Sequence, residues 1–161
     1  MVPGKIQRFL EERANIGSAG SCGPDLVPHV HRVSGWRLGA DHQTLTCLIP
    51  ALFTEHLLEA LEDNGRFAIT IEEFPSHETY QFKGKYLSHR DANAEDHRST
   101  ARMRERWTPG VRSLFPEMPA EILDDYILEP ALAVDIRVEE IFLQTPGPGA
   151  GTRLVPPTEG Q

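Results

Sequence analysis

From Arg66 to Glu73 the chain alternates without a break, with Phe67, Ile69 and Ile71 on one face and Ala68, Thr70 and Glu72 on the other. That is the period of a strand with one buried face. Five further segments carry strand character, at 16–21, 27–36, 43–49, 79–87 and 131–143, divided by turn residues such as Gly23-Pro24-Asp25, Gly39-Ala40-Asp41-His42 and Pro75-Ser76-His77. One helix separates the third strand from the fourth. Thr54 suits its N-cap, Leu57, Leu58 and Leu61 share one side, and Asn64-Gly65 ends it. Six short strands in hairpin-like order would expose their edges, and closure removes them. The expected fold is therefore mainly β (α+β), a six-stranded antiparallel barrel with flanking helices.

A chain of 161 residues suits one core, so a single domain over 1–161 is expected. Ile6, Phe9 and Leu10 recur at helical spacing near the start, which predicts a short amphipathic helix ending near Asn15. Residues 90–130 interrupt the strands as a helical insert before the last one, with helices over 94–107 and 120–127 and a loop at Pro109-Gly110 and Pro116. An insert of that length suits an arm shaping a ligand groove. Trp107 suggests where it docks. The Pro/Gly-rich tail, 146–161, is expected to run over the surface as a flexible segment without regular structure.

Net charge is −8, which opposes a general affinity for nucleic acid. Arg98, Arg102, Arg104 and Arg106 form the best local basic patch, but Glu95, Asp96 and Glu105 dilute it and it reads as a solvated helix face with ion pairs. No apolar run approaches the roughly 20 residues of a membrane-spanning helix, and Met1-Val2-Pro3-Gly4-Lys5 lacks the apolar core of a signal peptide. A cytoplasmic location with Cys22 and Cys47 reduced is expected. Cys47, in an apolar strand, reads as inert packing.

The stretch Gly23 to Trp36 is unusual because it is polar on both faces. His29 and His31 share one face, Arg32 and Ser34 the other, whereas an ordinary half-buried strand keeps one face apolar. Two imidazoles at i and i+2 could contact a ligand, or start a metal or haem site completed by Cys22, His42 or His77, though no ligand spacing joins those residues. The strand at 79–87 likewise holds Gln81, Lys83 and Lys85 on a polar face.

The turn and strand from Gly23 to Ser34, the third strand with its helix running into Arg66-Phe67-Ala68-Ile69-Thr70, and Tyr80-Gln81-Phe82-Lys83-Gly84-Lys85 together resemble the FMN-binding split-barrel proteins, the superfamily of pyridoxamine 5′-phosphate oxidase. The resemblance covers roughly 6–89 and 131–143. It implies a split β-barrel, a homodimer and FMN in a groove at the subunit interface, with His29, His31, Arg32 and Ser34 along the flavin and Gln81 and Lys83 reaching it. Thr54 would hold the phosphate. The chain departs from the family pattern at Pro50-Ala51-Leu52-Phe53-Thr54-Glu55-His56, where no Arg or Lys is present to grip that phosphate.

The expected function is a pyridoxamine 5′-phosphate oxidase-like flavin-binding protein, an FMN-dependent oxidoreductase acting on a small cytoplasmic substrate. Oxidation of pyridoxamine phosphate itself is not expected, for want of a matching basic substrate site. The alternatives are a ligand-binding split barrel that has lost FMN and catalysis, and a haem- or metal-binding member using His29 or His31.

Overall fold

A computed structural model describes residues 1–155. The chain opens with α1 (Gly4–Arg8) and a π-helical turn (Phe9–Arg13), a little shorter than the helix expected. Then come β1 (Ile16–Cys22), β2 (Pro28–Arg32), β3 (Gly35–Leu38), β4 (Thr44–Pro50), α2 (Thr54–Asn64), β5 (Arg66–Glu73), β6 (Glu78–Asp91), α3 (Ala94–Leu114), α4 (Ala120–Tyr126), β7 (Pro130–Leu143) and β8 (Arg153–Val155). Every pairing is antiparallel, in the order β2-β1-β5-β6-β7-β4-β3, with β8 added to β7.

The sheet has eight strands where six were expected, and two of the differences have clear causes. The stretch expected as one strand over 27–36 divides at Val33-Ser34. Its first half pairs with β1 and its second with β4. At the division the Val33 N–H donates to Gly17 O and the Ser34 N–H to Leu48 O, at 3.1 and 2.7 Å. The two ends of the sheet are thus the short halves of one bent segment, so the curled sheet is split there without leaving a long free edge. The other addition is β8, where a tail without regular structure was expected. The Leu143 N–H donates to Thr152 O and the Gly151 N–H to Leu143 O, closing a hairpin that brings Arg153 opposite Phe142. Residues 156–161 of that tail lie outside the described part.

The strand order also corrects a simple consecutive arrangement. β1 pairs with β5, and β4 with β7, so the β1–β2 and β3–β4 hairpins flank a central β5-β6-β7 meander. Phe67, Ile69, Ile71, Phe82, Val134, Ile136 and Ile141 fill the interior with Leu57 and Leu61 from α2, all of them buried. Gly84 marks a local register shift of β6 on β7. A Cβ there would lie 2.1 Å from Arg137 O, so only glycine lets the strands approach.

Helix α3 runs through Pro109 to Leu114, past the loop expected at Pro109-Gly110. Val111 is buried beyond the proline, and Gly110 presses against Phe74, where a Cβ would stand 3.2 Å from the ring. Docking on the β5–β6 turn carries the helix past its breaker. Among the described residues no helix is long and apolar enough to cross a membrane.

Candidate functional site

The barrel's outer surface follows from register. Across β2, β1, β5, β6 and β7 one row reads Arg32, Ser18, Thr70, Gln81, Phe142, and the next reads Val30, Gly20, Ala68, Lys83, Glu140. Gly20 and Ala68 carry almost no side chain, so the second row sinks into a groove of about 580 Å³. Its basic wall is Arg66, Lys83 and Lys85; Glu139 and Glu140 stand on the β7 side. A neighbouring hollow of about 340 Å³ shares Cys22, Arg66 and Lys85 and reaches the turn at Gly23-Pro24.

The charged groups are held unequally. Glu140 pairs with Arg153 at 2.8 Å, and Lys83 lies 4.7 Å over the Phe142 ring. Lys85 Nζ donates to Asn64 O at 3.4 Å. No ion pair joins Arg66, Lys83 or Lys85 to a carboxylate among the described residues, so the groove keeps an excess of positive potential beside a floor of bare backbone. A planar ring can lie on such a floor, and a phosphate beside such cations. These residues fit a phosphate-bearing flavin.

The structure divides the residues singled out in the sequence. Lys83 lines the groove and His29 borders it. Gln81 is in the adjoining row, its Nε2 donating to Thr70 Oγ1 at 3.2 Å. Arg32 is committed elsewhere: its guanidinium lies 3.9 Å over the Tyr126 ring and donates to Tyr126 O. Ser34 is only 1% exposed, at the strand division. Thr54 is not in the groove lining, and its hydroxyl donates to Ala51 O in the turn before α2. It is the C-terminal end of α2, at Asp63-Asn64, that borders the adjoining hollow, and α2 is about 15 Å long by helix geometry.

Arg66, Lys85, Gly20 and Ala68 were not singled out as site residues. Alternation put Ala68 on the polar face of its strand and Lys85 beside Lys83, but only the pairing of β5 with both β1 and β6 sets them side by side.

His29 and His31 stand on the opposite face of β2 from Val30, paired with Ser21 and Ala19. With His56 of α2 they form a rank of near-parallel rings, His31 to His29 at 6.5 Å and His29 to His56 at 5.2 Å between centroids. Burial, then the charges His29 and His56 would carry, hold His31 below the ordinary imidazole value. His77 instead bonds Glu72 in the β5–β6 turn. Among the described residues no three His, Cys, Asp or Glu side chains are placed to hold a metal ion. Both cysteines are free thiols, and burial pushes Cys47 far up in pKa, as inert packing requires.

No family model matches the chain, and no curated protein matches it in sequence. Solved structures do match in fold. HupZ of Group A Streptococcus is 18% identical over 94% of this chain and 100% of that one, with a TM-score of 0.55. A pyridoxamine 5′-phosphate oxidase-type protein from Lactobacillus delbrueckii is 12% identical over 88% and 93%, at 0.52. An FMN-binding protein from Syntrophomonas wolfei is 7% identical over 84% and 80%, at 0.50. The fold is thus the split barrel of the pyridoxamine 5′-phosphate oxidase-like proteins, as the sequence resemblance implied.

Proposed function

We propose that this chain is a flavin-binding split-barrel protein that holds FMN in the outer groove and uses it in a redox step on a small cytoplasmic substrate. The observation that carries the reading is the Gly20 and Ala68 floor flanked by Arg66, Lys83 and Lys85. Bound FMN would supply the electron chemistry, while the chain supplies orientation and charge. In this reading Lys83, Lys85 and Arg66 hold the phosphate, supplying from β5 and β6 the cations missing around Thr54. Gln81, one row away, offers a hydrogen bond to the ring edge.

A homodimer belongs to the same proposal. Val30, 71% exposed, lines the groove, and Leu26, 79% exposed, lines the adjoining hollow; a second copy laid there would cover apolar surface and close the groove over a flat ring.

The test is a visible spectrum of the purified protein, followed by titration of the cofactor-free protein with FMN and with riboflavin. Flavin bands and tighter binding of FMN than riboflavin are expected. Replacing Lys83 and Lys85 together by Ala should weaken FMN roughly tenfold or more and leave riboflavin nearly unchanged, because only the phosphate loses charge-assisted bonds. A colourless protein that takes up no added FMN overturns the reading. A Soret band in place of flavin bands would assign the ligand to haem and turn attention to His29, His31 and His56.

A further inference from the structure

A second pocket lies away from the groove, between α3, β3 and the N-terminal helical turn. It has a volume of about 320 Å³, and its lining sets Leu10, Trp36 and Leu38 beside Arg37, Arg102 and Arg106. The arginine row was expected to be a solvated face laced with ion pairs. Instead, Asp96 is buried beneath it, bound to Arg37 and Arg90, and Glu95 reaches Arg37 at 3.4 Å. Arg104 turns to Ile127 O and Glu129. Arg102 and Arg106 are left one helical turn apart with no carboxylate within 4 Å among the described residues, a spacing at which like charges repel.

Arg106 is tied down at one end, where Nη1 donates to Glu11 O. Its Nε is buried and has no hydrogen-bond partner among the described residues. The two guanidinium groups repel along the pocket, and a bound anion would offset that repulsion. Burial and the charge of Arg102 also push the Arg106 guanidinium down from its ordinary value, a strain an anion relieves. Glu11 and Glu95 also line the pocket, which favours a compact anion of low charge over a polyanion.

We propose that this pocket binds the oxyanion of a small ligand, a carboxylate or a phosphate, between Arg102 and Arg106, with Trp36 and Leu10 packing its apolar part. The site is separate from the flavin groove and shares no lining residue with it. The test is isothermal titration of the full chain with inorganic phosphate and with malonate at constant ionic strength, repeated on Arg102→Ala and on Lys83→Ala.

A saturable site is expected in the unsubstituted protein that is weakened roughly tenfold or more in Arg102→Ala and retained in Lys83→Ala. The tighter of the two probes identifies the oxyanion. Arg102 is exposed and pairs with no carboxylate among the described residues, so its removal should leave thermal stability without ligand unchanged or raised. Absence of saturation by either probe, equal affinity in Arg102→Ala, or loss confined to Lys83→Ala would each overturn the proposal. That last result would place the anion in the outer groove, so failure here is distinct from failure of the flavin reading.

Discussion

Asp96 shows how far one side chain can stand from its sequence appearance. In sequence it is one more acid diluting an arginine row, yet it is 0% exposed. Its Oδ1 meets Arg37 at 3.0 Å, and Oδ2 meets Arg90 at 2.5 Å and accepts from the Asn93 N–H at 2.9 Å. The same carboxylate closes a capping box with Asn93, so it starts α3 and fastens it to β3 and β6 at once. Burial alone would raise its pKa, but the Arg90 bond, the Asn93 N–H and the charges of Arg90 and Arg37 outweigh it and hold the carboxyl below its ordinary value. A depressed carboxylate stabilises the fold above the unfolded value of about 3.9, and that share is lost as pH falls through the folded one. Asp96→Asn should cost about 3 kcal/mol at neutral pH, since it leaves two guanidinium groups facing a neutral amide. Urea unfolding at pH 7 and near the carboxylate range should show the gap between the two proteins narrowing on acidification. A gap independent of pH would contradict this role. The sequence did hold a signal, Asn93 followed three residues later by an acid, but which acid is buried depends on Arg37, nearly sixty residues away.

At the scale of elements, segments whose pattern is local were legible: β5 has the limits its periodicity implies and α2 ends at Asn64 as expected, whereas Thr54, expected as the N-cap, is already helical and turns its hydroxyl back to Ala51 O. The errors lie where tertiary contact decides. The two polar faces of β2 have separate uses: His31 turns inward beside Ala19 while Arg32 turns outward toward the insert. There Arg32, Tyr126 and Trp107 stack in turn, the two aromatic rings 4.4 Å apart and 13° from parallel. Trp107 is buried and Arg32 exposed, so their energies differ in kind. Trp107→Ala should cost about 3–5 kcal/mol by leaving a cavity, whereas Arg32→Ala removes an exposed cation–π contact of about 0.5–1 kcal/mol. Denaturant midpoints of the two variants test that order. If the stack is the whole role of Arg32, its removal leaves FMN affinity within about twofold, since neighbours beyond contact distance add independently. A large loss of FMN affinity would restore it to the flavin site.

For the whole molecule, the barrel was legible because strand periodicity and the need to bury edges are local or generic. The groove was not, because its floor exists only where non-local pairings set Gly20 beside Ala68 and Ala68 beside Lys83. That geometry yields a test that separates fold from function. A Cβ on Gly20 meets nothing nearer than His29 O at 3.7 Å and Val30 Cγ2 at 4.0 Å, ordinary contacts, and its φ is not in the left-handed region. Gly20→Val therefore adds a β-branched residue where a strand favours one and places its bulk on the groove floor. Stability should hold or rise by up to about 1 kcal/mol. FMN uptake should nevertheless fall sharply, for riboflavin as much as for FMN, because the floor lies under the ring and not under the phosphate. Lys83 and Lys85 replaced together should spare riboflavin, so the two variants divide the flavin into its parts. If Gly20→Val folds stably and binds FMN as before, the flavin does not lie on this floor, and the outer groove loses its claim as the site.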